Sequence, residues 1–184
     1  MNAQEETLYI KRILDGETEL YSLFLDHYSR LIHSLVSQIV SSPSDAEELV
    51  QDVFMKAFRN LSGYKSECSF STWLYRIAYN TAISAVRKRK QEFLYIEENA
   101  IENVPDEKVD ELLCPTDNEE RIEQLVRAID LLEAEEKALI TLFYYDEKPI
   151  AEITEILKMT QTNVKVKLHR IRKKLSILIN NKQL

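Results

Sequence analysis

From Thr160 to Leu175 the chain reads Thr-Gln-Thr-Asn-Val-Lys-Val-Lys-Leu-His-Arg-Ile-Arg-Lys-Lys-Leu, and this stretch decides how its C-terminal part folds. Apolar residues recur there at steps of three and four, the period of a helix with one buried face. They are Val164, Leu168, Ile171, Leu175 and, just beyond, Leu178. The other positions include several positive charges and no negative one. The pattern predicts an amphipathic basic helix over 161–180, capped at its start by the Thr160 hydroxyl.

A short apolar helix is predicted just before it, over 149–157, with a turn at Lys158 and Met159. Two helices joined by a short turn have the form of a helix-turn-helix, whose second helix enters a DNA groove. The alternative is an amphipathic helix whose basic face is only solvated. This stretch by itself leaves both interpretations open.

The composition limits the class of protein. The 184 residues suffice for one large or two small domains, and only two Gly and four Pro favour long helices. Cys68 and Cys114 are far apart, and the three histidines have no metal-ligand spacing. The first residues are polar, unlike a signal peptide, and no apolar run approaches the ~20 residues that span a bilayer. We expect a cytoplasmic protein, not inserted in a membrane, that is not an enzyme and holds no metal or cofactor.

The net charge of −7 is unevenly distributed. The segment 92–123 contains twelve acidic and two basic residues, so it carries −10 and the rest of the chain +3. Arg87-Lys88-Arg89-Lys90 and the C-terminal helix form two basic clusters on either side of that segment. The distribution predicts two basic binding surfaces separated by an acidic connector.

Helical periods predict an all-α protein with two small domains joined by an acidic linker. Residues 1–92 form a four-helix domain with helices near 5–15, 17–40, 44–61 and 70–91, the third opening on a capping box of Ser44 and Glu47. Residues 93–118 form the linker, in which a short helix near 107–113 is possible. Residues 119–184 form a helix-turn-helix domain with helices near 119–132, 134–145, 149–157 and 161–180.

The fourth helix has an informative polar face. At 100° per residue one sector about 80° wide contains Trp73, Arg76, Asn80, Ser84 and Arg87. An exposed Trp stacks on an unpaired base, Asn bonds a base edge, and Arg and the following Lys88 hold phosphate. The alternative places Trp73 in the core beneath the preceding loop and pairs Arg76 with a carboxylate.

The third helix has an acidic face with apolar residues set into it. That face consists of Asp45, Glu48, Leu49, Asp52 and Val53. It suits docking on a basic protein helix and repels DNA. The alternative is an ordinary solvated helix face.

Three motifs in this order resemble those of the extracytoplasmic-function (group IV) sigma factors, the two-domain initiation factors of bacterial RNA polymerase. They are Asp-Ala-Glu-Glu-Leu-Val-Gln-Asp-Val-Phe from Asp45, Phe-Ser-Thr-Trp-Leu-Tyr-Arg-Ile-Ala-Tyr-Asn from Phe70, and Asn-Val-Lys-Val-Lys-Leu-His-Arg-Ile-Arg-Lys-Lys-Leu from Asn163. The resemblance covers nearly the whole chain except the acidic linker. It implies a factor that recognises −35 and −10 promoter elements and opens DNA.

The resemblance also implies roles for three sets of residues. The acidic face of the third helix would dock on the clamp helices of the largest polymerase subunit. Binding of the −10 element would involve Tyr64, Lys65, Trp73, Arg76, Asn80, Arg87 and Lys88. Binding of the −35 element would involve Gln161, Thr162, Asn163, Lys165, Lys167, Arg170 and Lys174. Lys158 stands in the turn where the family commonly has Gly, so we expect that turn to be shaped differently.

The implied partners are core RNA polymerase, promoter DNA and an anti-sigma factor, with the free protein a monomer. The linker would run through the polymerase's active-site and RNA-exit channels. Its 26 residues span at most about 85 Å, but as a free coil only ~25–30 Å. Elements one and a half turns apart on DNA lie ~50 Å from each other. We therefore expect the free protein to bind promoter DNA poorly.

Two competing interpretations remain open. One is an operator-binding regulator that acts without polymerase, and the other is a helical adaptor protein that does not bind DNA.

Overall fold

The computed structural model describes residues 1–89, 101, 105 and 119–180, and this part of the chain is helical without a β-strand. The N-terminal bundle consists of α1 (Ala3–Leu14), α2 (Ser22–Ile39), α3 (Pro43–Arg59) and α4 (Phe70–Arg89). The C-terminal bundle consists of α5 (Glu119–Asp130), α6 (Ala134–Ile140), α7 (Ile150–Leu157) and α8 (Gln161–Asn180). The predicted all-α class is confirmed. The predicted linker over 93–118, its short helix, and the end of the fourth helix at 91 lie outside the described residues, apart from Ile101 and Pro105.

Local capping explains where the N-terminal helices begin. Asn2 and Glu5 form a capping box at the start of α1. The predicted capping box at Ser44 was wrong, because the Ser42 hydroxyl caps α3 through the Asp45 amide, with Pro43 at the first helical position. Proline suits that position because its missing N–H has no helical partner there. The second helix begins at Ser22, later than predicted, because the preceding residues form a 3₁₀ turn over Thr18–Tyr21.

The C-terminal bundle contains the expected pair of helices. α7 ends at Lys158, whose φ of 53° and ψ of 47° place it in the left-handed region. The expectation that Lys158 changes the shape of the turn was therefore wrong. The turn has a left-handed residue at this position, as it would with Gly, although this conformation costs lysine about 1–2 kcal/mol. Thr160 then accepts a hydrogen bond from the Asn163 amide at 3.2 Å, so the predicted cap is confirmed. α6 continues into one π-helical turn over Thr141–Tyr145.

The two bundles pack directly against each other. α4 contacts α7 and α6, and α2 contacts α6, while α8 packs on α7. The buried apolar side chains of both bundles form one connected cluster. Charged and polar side chains also meet across this contact, and we call them the seam: Thr72, Tyr75 and Arg87 of α4 with Glu135, Lys148 and Glu152 of the C-terminal bundle.

Candidate nucleic-acid and protein interfaces

The outer face of α8 is polar and exposed. Val164, Leu168 and Ile171 are buried on the inner face of this helix, and the positions on the opposite face are exposed to solvent. The exposed residues that the sequence assigned to DNA binding are Gln161, Thr162, Asn163, Lys165, Lys167 and Arg170. This face has the polar and cationic groups that a recognition helix presents to base edges and phosphates.

Lys174 does not belong to that face. Its side chain is buried, 7% exposed, and its Nζ lies 2.8 Å from Glu136 Oε2. Residue 174 follows Ile171 by three positions, so it continues the buried stripe and not the outer face. The placement of Lys174 among exposed DNA-binding residues was therefore wrong, because its charge is used to tie α8 to α6.

We expect Lys174→Ala to destabilise the C-terminal bundle by about 2 kcal/mol, because it leaves the partly buried Glu136 carboxylate without its cation. Urea unfolding measures this loss. Lys167→Ala, at an exposed position of the same helix, is the matched control and should change stability by less than about 0.5 kcal/mol. Equal stability of the two variants would contradict a structural role for Lys174.

Trp73 lies inside the N-terminal bundle. It is 8% exposed, and its ring centroid lies 5.4 Å from that of Tyr64 and 5.5 Å from that of Phe70. The loop before α4 brings Tyr64 over the tryptophan and is closed by a hydrogen bond from the Tyr64 hydroxyl to the Cys68 carbonyl, at 2.8 Å. The prediction of an outward Trp73 was wrong in this structure, and the alternative, with Trp73 in the core beneath the preceding loop, is confirmed. The apolar Tyr64 and Phe70 on either side of a short loop were the signal that it is covered.

The other residues predicted to bind the −10 element, on α4 and on the loop before it, differ in how far they are exposed. Lys65, Asn80 and Lys88 are exposed, and Arg76 is half-buried. Arg87 is 72% exposed, yet its guanidinium donates to Glu135 Oε1 at 2.6 Å. The side chains of Arg89 and Lys90 lie outside the described residues. The loop and α4 therefore present exposed hydrogen-bond donors to solvent at Lys65, Asn80 and Lys88.

We expect Asn80→Ala to leave thermal stability unchanged, because the exposed amide supports no contact within the fold. On the role that the resemblance implies, it should also impair open-complex formation, because a hydrogen bond to a base edge is lost. Trp73→Ala should instead destabilise the bundle by about 3–5 kcal/mol, since it empties a packed aromatic site. Calorimetry and permanganate footprinting of the open complex distinguish the two effects. An unchanged melting temperature for Trp73→Ala would show that its ring is not part of the core.

The acidic face of α3 is mostly as predicted. Glu48 and Asp52 are exposed, and Asp45 and Leu49 are half-buried. Val53 was placed on this face wrongly, because it is 0% exposed and packs in the core. The sequence argument missed Met55, which is 52% exposed and lies three residues after Asp52. Its spacing from Glu48 and Asp52 could have identified it, because positions seven and three apart share a helix face. Two exposed carboxylates on the same helix face as an exposed thioether have the chemistry that suits contact with a basic protein surface.

The described part of the structure shows neither a candidate metal site nor a helix that could span a membrane. Those residues contain no group of three His, Cys, Asp or Glu side chains placed to hold a metal ion. Among them no helix is both long and apolar enough to cross a membrane.

Two family models match the chain in the order of the two bundles. The model Sigma-70 region 2 matches residues 24–92, and the model Sigma-70, region 4 matches residues 122–175. The class is thus that of sigma-70 proteins with these two regions. The ECF RNA polymerase sigma factor SigW of Bacillus subtilis (strain 168) is 30% identical over 172 residues, 90% of this chain and 92% of that protein. The chain belongs to the ECF sigma factors and is a promoter-specific transcription initiation factor.

A second relative belongs to the same family, and two solved structures share the fold. The ECF RNA polymerase sigma-E factor of Escherichia coli (strain K12) is 38% identical over 77 residues, 42% of this chain and 40% of that protein. CnrH, solved in complex with the cytosolic domain of CnrY, aligns with a TM-score of 0.64 at 16% identity over 94% of this chain and 96% of its own. RpoE of Bartonella quintana, solved with the anti-sigma factor NepR, aligns with a TM-score of 0.62 at 21% identity. The alignment covers 89% of this chain and 98% of the RpoE chain. At these identities the two structures concern the fold alone.

Proposed function

We propose that the three exposed surfaces divide the work of initiation. The acidic face of α3, with Asp45, Glu48, Leu49 and Asp52 and extended by Met55, docks on core RNA polymerase. The loop before α4 and the α4 residues Arg76, Asn80, Arg87 and Lys88 engage the −10 element. The outer face of α8 binds the −35 element. The boundaries that follow are 1–92 for the first domain, 93–118 for the linker and 119–184 for the second domain.

The observation that carries this proposal is the opposite chemistry of α3 and α8. Asp52 and Glu48 repel phosphate, whereas the exposed positions of α8 include Lys165 and Lys167. One surface therefore suits a basic protein and the other suits DNA. An operator-binding regulator would not need the acidic face of α3, because it does not bind polymerase. An adaptor would not need the basic face of α8, because it does not bind DNA.

Tyr64, Lys65 and Trp73 contribute to −10 binding in different ways. Lys65 is exposed on the loop and supplies a phosphate contact. Tyr64 and Trp73 support the loop from within the bundle, and a direct stacking role for Trp73 requires the loop to move. A flipped-out base costs a few kcal/mol of unstacking, which such contacts must offset.

The protein carries out no chemistry of its own and needs no cofactor in this proposal. It works in the cytoplasm, where promoter DNA and polymerase are, and is a monomer when free. An anti-sigma factor is a further proposed partner; the fold neighbour RpoE of Bartonella quintana was solved with one.

Runoff transcription with cognate core RNA polymerase on genomic fragments, with and without this protein, tests the function. We expect new discrete start sites that share a bipartite upstream sequence. Tight duplex binding by the protein alone at moderate salt, without new transcripts, would instead indicate an operator-binding regulator.

A further inference from the structure

Lys158 is a lysine in a backbone conformation that favours glycine. Its φ of 53° lies in the left-handed region, where a residue with a Cβ is strained. Among the residues that the structure describes, the other non-glycine residues with a positive φ are Ser66 and Glu147. Ser66 lies in the loop before α4 and Lys158 in the turn before α8, so two of these three residues shortly precede a helix with a proposed DNA-binding face. Backbone strain of this kind clusters at functional sites.

The contacts of Lys158 within the fold do not offset that strain. Its Nζ lies 3.1 Å from Glu155 Oε2 on α7, and the two side chains are 60% and 54% exposed. An ion pair as exposed as this one contributes less to stability than a left-handed lysine costs. Asparagine, which tolerates the left-handed region, would fit the same turn with less strain. The lysine therefore does not serve the stability of the C-terminal bundle.

The turn places the ammonium of Lys158 beside the start of α8. Lys158 is three residues before Gln161, the first residue of that helix, and both side chains are exposed. The N-terminal residues of the second helix of a helix-turn-helix contact base edges, so the phosphates that flank those bases lie next to the turn. A lysine side chain carries its ammonium about 6 Å from its Cα, which is far enough to reach such a phosphate.

The start of α8 also has no lysine or arginine of its own. Its first three residues are Gln161, Thr162 and Asn163, and its first cation is Lys165, more than one helical turn along. Lys158 is therefore the cation that the sequence places closest to the start of the outer face of α8. It would extend the positive charge of that face to the end of the helix that contacts bases.

We propose that Lys158 is a phosphate-binding residue in addition to those on α8, and that its left-handed backbone serves DNA binding at the expense of stability. On DNA its ammonium leaves the exposed Glu155 and donates a charge-assisted hydrogen bond to a phosphate oxygen. A contact to the DNA backbone does not depend on the base sequence. The inference rests on the proposed function only in taking the outer face of α8 as the surface that meets DNA.

Duplex binding by the full chain tests the contact. Two short duplexes of unrelated sequence are each titrated at several salt concentrations, and fluorescence anisotropy reports the affinity. We expect Lys158→Asn to lower the affinity for both duplexes about five-fold and to reduce the salt-dependence slope by about one, as the loss of one phosphate contact does. Lys158→Arg keeps the charge and should retain both affinity and slope.

Thermal unfolding of the same variants tests the strain. Lys158→Asn should raise the melting temperature by roughly 2 °C, because asparagine tolerates the left-handed backbone, whereas Lys158→Arg should leave it unchanged. One substitution that raises stability and lowers DNA affinity is the expected signature. Circular dichroism checks that each variant is folded.

Two controls separate strain from charge. Glu147→Asn makes the same replacement at another exposed left-handed residue, and it should raise the melting temperature without any loss of duplex affinity. Lys11→Asn removes a positive charge from an exposed position on α1, and it should change the affinity by less than about two-fold.

Each arm has a result that overturns the inference. Unchanged affinity and slope for Lys158→Asn, a loss equal to that of Lys11→Asn, or a loss on one duplex only would exclude a phosphate contact. No binding of either duplex by the unaltered chain at the lowest salt would exclude it as well. A lower melting temperature for Lys158→Asn would show that the lysine serves the fold. Absence of new transcripts in the runoff assay would contradict the proposed function, whereas the loss of duplex affinity with Lys158→Asn would still stand.

Discussion

Lys165→Glu combined with Lys167→Glu is expected to abolish transcription from promoters that depend on the −35 element. Both side chains are exposed on the outer face of α8, away from its buried stripe. Each lost phosphate contact removes a favourable charge interaction, and each new carboxylate adds repulsion. A reduction in DNA affinity of about 100-fold or more follows, together with a fall of about two in the salt-dependence slope.

The control for that result is Lys11→Glu combined with Arg127→Glu. These two side chains are exposed on α1 and α5, and their reversal changes the net charge by the same amount. The control should retain most activity, because the effect depends on where the charge lies. Equal losses in the two double variants, or full activity with Glu at 165 and 167, would contradict α8 as the recognition helix. Runoff transcription and binding at several salt concentrations provide the measurements.

Asp52→Arg is expected to weaken the complex with core polymerase by about 30-fold, or about 2 kcal/mol. The carboxylate is exposed on α3, and the proposed partner surface is basic, so the reversal places like charges together. Its effect on the stability of the free chain should be within about 0.5 kcal/mol, because an exposed side chain makes few fold contacts.

Asp26→Arg is the matched control, because Asp26 is also exposed but lies on α2. Fluorescence titration of labelled protein with core polymerase compares the two affinities. A normal affinity for the Asp52 variant would show that the docking surface lies elsewhere. A selective loss, with DNA binding by the C-terminal bundle unchanged, would support the division of labour among α3, α4 and α8.

Periodicity predicted the helices because it depends on near neighbours in the chain. α8 spans the residues that its apolar stripe predicted, and the exposed basic side chains of that helix were identified correctly. The same argument failed for Lys174 and Val53, which lie beside the buried stripes of their helices. A side chain at such a border is buried or exposed according to what packs against it, and the helical period does not contain that information.

Caps and turns show a similar limit. The Thr160 cap was predicted correctly, whereas the start of α3 was assigned to Ser44 and lies at Ser42. Either serine hydroxyl can accept a hydrogen bond from a backbone amide at a helix start. The conformation of the backbone determines that Ser42 does so here. Lys158 adopts a left-handed conformation at the turn between α7 and α8, two helices that pack on each other, in spite of the local preference of lysine.

By itself the sequence determined the helical class, the two basic clusters on either side of an acidic segment, and the acidic and basic faces of α3 and α8. These follow from residue type and spacing along single helices. The tertiary structure decided between the outward and the covered placement of Trp73, both of which the sequence left open, and it alone showed that Arg87 meets Glu135, 48 residues further along the chain. Such contacts depend on how separate helices pack, and no local pattern of residues records which helices will meet.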